Sequence, residues 1–247
     1  MKIRVLFFGQ LKDVIGRSED AIDLPAGSRV ETVFAHYASQ YPRLLEMADS
    51  IAVARNQEFS DSSVALEDDD EIALMPPVSG GSSLPAVTLD DDSYFAITAD
   101  PIDSAALAQR MQSDADGALI TFEGVVRDNS KGRKTRYLDY ECYVPLALKT
   151  IENIGREVLA RHDVHRIAIV HRVGRLEIRE VSVSIVVASA HRRAAYDASL
   201  EAINTVKKRV PVWKKEYFED GEVWVEGQWD DNIPRSVGTA SMSEAPT

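Results

Sequence analysis

The chain reads as an α+β protein built from two successive units. Three features lead there. The first eighty or so residues alternate strand and helix signals in the order strand–strand–helix–strand–strand; the span SSLPAVTLDDDS then breaks the pattern with Ser, Pro and an Asp triplet; and a second series of strands with two long helical stretches follows. One sheet packed on one helix is the simplest architecture for the first order.

Each element has a local reason. KIRVLFFG alternates with period two and puts Ile3, Val5 and Phe7 on one face. DAIDLP is a second strand. SRVETVFAHYASQYP opens a helix, with Ser28 and Glu31 spaced as a capping box and Val30, Val33, Phe34 and Tyr37 at helical intervals. IAVARNQEF is a third strand and EIALMPPV a last one. Beyond the linker, ALITFEGVVR and RYLDYECYV are strands, and PLALKTIENIGREVLARH carries Leu146, Ile151, Ile154, Val158 and Leu159 at roughly helical spacing. RIAIVHRVGRLEI is a strand pair around Gly174, and VSVSIVVASA is a further strand. AAYDASLEAINTVKKR is a helix stopped by Pro211, and VWKKEYFEDGEVWVEG a hairpin turning near Asp220–Gly221. From Trp229 the composition turns to Ser, Thr, Ala and Pro, as in a frayed tail.

Composition narrows the class. With 247 residues, 45% of them hydrophobic, the chain can bury one or two cores. It holds no apolar run of about 18 residues, and its N-terminus reads as a strand rather than a signal peptide, so neither a membrane span nor a membrane partner is expected. Cys142 is the only cysteine, which excludes an intrachain disulfide and a Cys-based zinc site and points to the cytoplasm. The net charge of −12 is uneven. Residues 1–98 hold 7 basic and 17 acidic side chains, whereas residues 99–247 hold 21 and 23. An acidic first half argues against nucleic acid and is compatible with simple solubility or with docking on a basic surface.

Four stretches carry candidate chemistry. In MPPVSGGSSLPAV, Gly80 and Gly81 lack Cβ atoms, and the extended chain from Pro76 to Gly81 reaches about 20 Å, enough to thread a neighbouring site. A flexible interdomain turn has the same composition. In SAHRR, Ser189 is a candidate N-cap, and His191 and Arg192 add anion donors at a helix start; an exposed first turn would look identical. In GVVRDNSKGRK, Arg127 ends a strand, either as an anion contact or as a solvated loop charge. In VKKRVPVWKKE, Lys207 occupies the last helical turn and Pro211 forces an extended path. Lys214 and Glu216 then share one strand face, with Trp213 and Lys215 on the other. So many lysines suit a solvated face, but the interleaved Pro211, Val212 and Trp213 suit a partly buried site. His162 and His165 have metal-compatible spacing without carboxylate support in sequence and read as loop residues. Cys142 reads as packed within an apolar strand.

Residues 1–81, with the ending ALMPPVSGG, resemble the small ubiquitin-like subunit of molybdopterin synthase. TFEGVVRDNS, SAHRRAAYDA and VKKRVPVWKKE together resemble the large catalytic subunit, as if both were fused in one chain. The resemblance implies a β-grasp sulfur-carrier domain over 1–81, a linker over 82–93, an α/β hammerhead-type catalytic domain over 94–227 and a disordered tail over 228–247. It implies a sulfurtransferase that moves two sulfurs from a thiocarboxylate on Gly81 to cyclic pyranopterin monophosphate. Neither a tightly bound cofactor nor a metal is implied. The expected partners are an adenylyltransferase that activates the Gly-Gly end and a second copy in a homodimer through the catalytic domain.

By the same resemblance Val125, Val126 and Arg127 line the pocket, the two valines by backbone; Phe122 either supports its floor or, as is commoner for a Phe there, packs in the core. His191 and Arg192 bind substrate from the partner protomer, and Arg193 is a solvated neighbour. Lys207 is a general acid/base, Lys214 holds charge on substrate or on the adduct at Gly81, Glu216 orients Lys214, and Lys215 joins the substrate contacts. Two departures from the family stand out. Ser82 follows Gly81, and a carboxylate inside a peptide bond cannot be adenylated, so cleavage after Gly81 is expected. Gly227 and Gln228 stand where the family carries an Arg, leaving Arg133, Arg136 or Lys215 to replace that charge. The competing readings are a ubiquitin-like carrier fused to a non-catalytic scaffold, and an anion- or nucleic-acid-binding domain with a ubiquitin-like appendage.

Overall fold

The computed structural model describes residues 1–76, 86–90, 92–224 and 233. Gly80, Gly81, Ser82, Gly227, Gln228 and the tail from 234 lie outside the described residues, as does the expected cleavage point. The chain divides into two compact units on either side of the Pro-Gly stretch.

The first unit contains β1 (Lys2–Phe7), α1 (Gln10–Ile15), β2 (Glu19–Asp23), α2 (Val30–Gln40), a 3-10 stretch (Pro42–Ser50), β3 (Ala52–Arg55), β4 (Glu58–Phe59) and β5 (Glu71–Met75). The sheet order is β2-β1-β5-β3-β4, with β1 and β5 parallel at its centre and the other pairs antiparallel. Ile3, Val5 and Phe7 turn to the core as their alternation requires and meet Val30, Val33, Phe34 and Tyr37 of α2. Tyr37 sits edge-on to Phe7 and donates its hydroxyl to Asp20 at 3.0 Å. This is a ubiquitin-like β-grasp.

Two local expectations change. The helix starts at Val30 rather than at Ser28. The Ser28 hydroxyl donates to the Pro25 carbonyl, and Thr32 Oγ1 accepts from the Arg29 N–H at 3.1 Å instead. Backbone bonds from Val30 to Val64 and from Leu66 to Ser28 keep residues 28–29 extended, which moves the helix start along. IAVARNQEF is not one strand but the tight hairpin β3–β4, because Asn56 and Gln57 both take positive φ, 48° and 67°.

The second unit contains β6 (Ala86–Leu89), β7 (Ser93–Thr98), α3 (Ser104–Met111), β8 (Ala118–Val125), β9 (Asn129–Ser130), β10 (Arg133–Cys142), α4 (Val144–Arg161), β11 (Arg166–Arg172), β12 (Gly174–Glu177), β13 (Val181–Ser189), α5 (Arg192–Arg209), β14 (Val212–Phe218) and β15 (Gly221–Trp224). Its larger sheet runs β6-β7-β11-β13-β8. The span read as a linker, 82–93, therefore contains a strand: β6 pairs antiparallel with β7, a partner that lies beyond the Asp triplet. On one face of this sheet α4 and α5 bury Phe95, Ile97, Ile167, Ile169, Val183, Ile185 and Val187. Close approach is needed there, since a Cβ on Gly155 of α4 would come within 2.1 Å of the Phe95 ring. Helix α3, absent from the sequence reading, covers Ala96, Ala168, Val170 and Val186 on the other face.

The smaller sheet, β12-β10-β14-β15, carries β9 on β10 and a small apolar cluster of Val126, Leu138 and Leu176. No helix among the described residues is long and apolar enough to cross a membrane.

His171 on β11 meets Tyr140 on β10 edge-on, with ring centroids 5.4 Å apart, and so joins the two sheets of this unit. Burial pushes its pKa down to about 4, although its Nδ1–H donates to the Arg172 carbonyl. Between pH 6.5 and 4 the unfolded chain therefore protonates this ring while the folded chain does not. Stability should fall with acidification across that window, by up to about 3 kcal/mol. Urea titrations at several pH values should show this slope, and His171→Gln should flatten it.

Candidate active site

The site is organised by one connection. Strand β13 ends at Ser189 and α5 begins at Arg192, so the helix must turn back over the strand it follows. Its buried face, Ala195, Ala198, Ser199, Ala202, Ile203 and Val206, is rich in small residues, which lets it lie close to β13 and β8. Strand β8 also runs antiparallel to β13, with Ala118 opposite Ser189 and Val125 opposite Val181. The start of α5 thus lies over the beginning of β8, and its C-terminus over the end of β8.

The C-terminal end gathers most of the candidates. Val125 ends β8 half-exposed and Arg127 follows, exposed. Lys207 is exposed in the last turn of α5, where the helix dipole favours a cation. Pro211 then leads into β14, where Lys214 lies beside Tyr140 of β10. Lys214 Nζ contacts Glu216 Oε1 at 2.7 Å, and Glu216 is buried at 4% exposure. The pleat puts both on one face, so the carboxylate anchors the ammonium from below. Arg127 and Lys207 have no ion pair with any described residue, whereas neighbouring Arg209 is held by both oxygens of Glu157 at 2.9 and 3.0 Å.

Three expectations are redirected. Val126 does not line a pocket by backbone: its N–H donates to the Glu180 carbonyl, its own carbonyl accepts from Arg179, and its side chain is buried. Lys215 leaves the Lys214 face, as strand geometry demands, and pairs with Glu222 at 2.5 Å above the Trp224 ring. Arg133 cannot replace a missing charge beside Lys214, because it pairs with Asp220 and stacks on Phe218 at the far end of β14. Arg136 is exposed, next to the irregular pairing between Thr135 and Tyr137. Phe122 packs partly buried against the helical core, which is the core-packing alternative.

His191 and Arg192 are exposed at the opposite end of α5. Fifteen residues separate Arg192 from Lys207 along the helix, about 22 Å at 1.5 Å per residue. Within one chain these residues therefore form two separate groups. Ser189 is not the cap. His191 takes that position, while the buried Ser189 hydroxyl donates to the Asp163 carbonyl at 2.8 Å and accepts the His191 N–H at 3.2 Å. Arg193 is neutralised by Asp197 at 2.6 Å.

The sequence reading missed what holds this corner. A Cβ on Gly117 would meet the Ala190 carbonyl at 2.4 Å, and the Gly117 N–H donates to Ser189. Nearby, His165 Nδ1 lies 2.7 Å from buried Asp116. Burial alone would raise the Asp116 carboxyl, but hydrogen bonds from Ser113 and His165 outweigh it and hold it below the usual range. The signal available in sequence was the lone Gly ahead of ALITFEG. His162 pairs with Glu201, so the two histidines of HDVH serve different carboxylates; no cluster able to hold a metal occurs among the described residues. Burial pushes the Cys142 thiol up to about 12, as befits a packed side chain.

A β-grasp unit joined to an α+β unit with exposed cations at both ends of one helix defines the class: a ubiquitin-like domain fused to a second, α+β domain. The MoaE protein family matches residues 97–209 and the ThiS family residues 5–81. Among relatives, the molybdopterin synthase catalytic subunit of Halalkalibacterium halodurans is 46% identical over 134 residues, covering 54% of this chain and 86% of that protein. The Bacillus subtilis catalytic subunit is 42% identical over 134 residues, covering 54% and 85%. The crystal structure of molybdopterin synthase from Staphylococcus aureus aligns at 39% identity with a TM-score of 0.51, over 56% of this chain and 98% of that one. The chain belongs to the molybdopterin synthase catalytic subunit family, with a ThiS-family region ahead of it, and so to molybdenum cofactor biosynthesis.

Glu216→Gln would leave Lys214 without its buried counter-charge. Turnover of the pterin substrate proposed below should drop about tenfold or more, equivalent to ~1.4 kcal/mol of transition-state stabilisation. Unchanged turnover with an unchanged thermal midpoint would remove Glu216 from the site.

Proposed function

We propose that this chain is a molybdopterin synthase that carries its own sulfur donor, with cyclic pyranopterin monophosphate as substrate. The observation that supports it most is that Arg127 follows the end of β8, Lys207 ends the helix packed on that strand, and the Lys214–Glu216 pair lies on the next strand in the chain; two of the three cations lack an ion pair among the described residues. A phosphate-bearing substrate and an anionic thiocarboxylate both need such a surface.

In this reading the Gly81 thiocarboxylate sulfur bonds to a substrate carbon and displaces that carbon's oxygen substituent, which leaves with a proton supplied by Lys207. Water then attacks the Gly81 carbonyl and the acyl C–S bond breaks, leaving sulfur on the pterin and Gly81 as a carboxylate. Lys214 steadies the negative charge of the tetrahedral adduct, and Lys207 moves the proton. A second carrier repeats the step to complete the dithiolene. Because Ser82 blocks the Gly81 carboxylate, cleavage at that bond comes first and yields pieces of 81 residues and the remaining 166 of 247. An adenylyltransferase then activates the freed end.

The 22 Å separation along α5 supports a site completed by a second copy, with His191 and Arg192 of one chain serving Lys207 of the other. The carrier-on-idle-scaffold reading has no use for a buried carboxylate anchoring a lysine, which supports the enzyme.

The test is reconstitution of the purified chain with an activating enzyme, a sulfur source and the pterin precursor, read as dithiolene formation. Lys207→Ala should lower turnover by about 10²–10⁴-fold. Arg192→Ala and Lys207→Ala chains, each inactive alone, should recover about a quarter of wild-type activity when mixed, since half the dimers are mixed and each holds one intact site of two. Intact mass measurement of active protein should find the two fragments; activity from uncleaved chain alone would refute self-donation.

A further inference from the structure

We infer that the groove between α3 and β7 binds a small organic anion with an apolar body about 10 Å long. The groove lies on the face of the larger sheet opposite α4 and α5, and the inference does not depend on the function proposed above.

The groove exists because small residues meet across it. Strand pairing aligns Val87 of β6, Ala96 of β7 and Val170 of β11 in one row, and paired positions put their side chains on one face. Ala96, the shortest, sits in the middle of that row. Ala106, exposed on α3, and Leu107 form the facing wall, and Ile102 flanks them. A longer side chain at 106 would fill the space between. The cavity is about 450 Å³, within the range that small ligands occupy. Val87 on the outer wall is 52% exposed, so a ligand lying in the groove would take apolar surface out of water.

The two ends are polar, and they differ. α3 runs back along β7, with Asp103 at the Thr98 end and Arg110 at the Tyr94 end. Seven residues of helix separate Asp103 from Arg110, about 10 Å. Asp103 is committed to the helix, because its carboxylate accepts the Ala106 N–H at 2.9 Å. Arg110 holds its guanidinium 5.0 Å from the centre of the Tyr94 ring and has no ion pair with any described residue. Other helical arginines of this unit are neutralised within one turn: Arg156 by Glu152, Arg161 by Glu157 and Arg193 by Asp197.

A guanidinium steadied by an aromatic ring at one end of an apolar trough suits an anionic head group, which can take two of its N–H bonds. The body of the ligand then lies over Ala96 and Leu107. An inorganic anion would use the first feature alone, and a neutral apolar molecule only the second. The ligand class is therefore a carboxylate or sulfonate on an apolar body.

Fluorescence titration of the full chain with anilinonaphthalene sulfonate, which has one sulfonate on an aromatic body, tests the site. The titration is run in phosphate buffer, which loads the exposed cations at the ends of α5. Saturable binding should persist there, and octanoate should displace the dye. Arg110→Met keeps an apolar stem without the charge and should weaken binding about tenfold. Ala106→Leu fills the groove with a good helix former and should weaken binding about tenfold or more without lowering the thermal midpoint. Leu45→Ala, at an exposed leucine of the first unit, should change nothing. Absence of saturable binding in phosphate buffer, failure of octanoate to displace the dye, or unchanged affinity in either groove variant would overturn the inference.

Discussion

An α-helix is incompressible along its axis, and α5 spends 18 residues between the turn at Ser189 and the stop before Pro211. That length separates the two groups of candidate residues and decides what each can touch. The packing beneath the helix preserves the separation. Its small buried residues seat it closely on β13 and β8; Gly117 and Ser189 hold its first turn against the loops that carry Asp116 and Asp163, and Glu157 grips Arg209 at its last. Shifting α5 by one turn would undo all of these together.

Charge is distributed around this frame with a consistent logic. Cations with structural work are neutralised: Arg193 by Asp197, Arg209 by Glu157, Lys215 by Glu222, Arg133 by Asp220. Lys214 is tied to a carboxylate that is itself buried, so its ammonium is fixed in place. Arg127, Arg192 and Lys207 are exposed with no ion pair among the described residues. Such a partition leaves these three charges available to an anion, and it arises in a half of the chain, residues 99–247, whose net charge is close to zero. The near-neutral total and the local concentration are therefore compatible, and neither requires nucleic acid as the partner.

Most element identities were legible in the sequence because they depend on periodicity. Ile3, Val5 and Phe7 face the core for no reason beyond alternation, and α4 and α5 follow their apolar spacing. Errors came where a partner distant in sequence set the outcome. β6 is a strand because β7 pairs with it across the Asp triplet, and α2 starts late because bonds to Val64 and Leu66 keep residues 28–29 extended. Val126 lost its expected role for the same reason, since residues 179 and 180 take its peptide groups.

The sequence by itself determined which residue types could do the chemistry, and that Lys214 and Glu216 share a face, because a strand's two-residue repeat is a local property. Only the tertiary structure decided that β8, which leads to Arg127, packs against α5, which ends near Lys207, that Arg133 pairs with Asp220, and that His191 and Arg192 stand a helix-length from Lys207. Those outcomes depend on which elements lie side by side and in which direction they run, and chain direction in a packed layer is set by long-range pairing that no local pattern encodes.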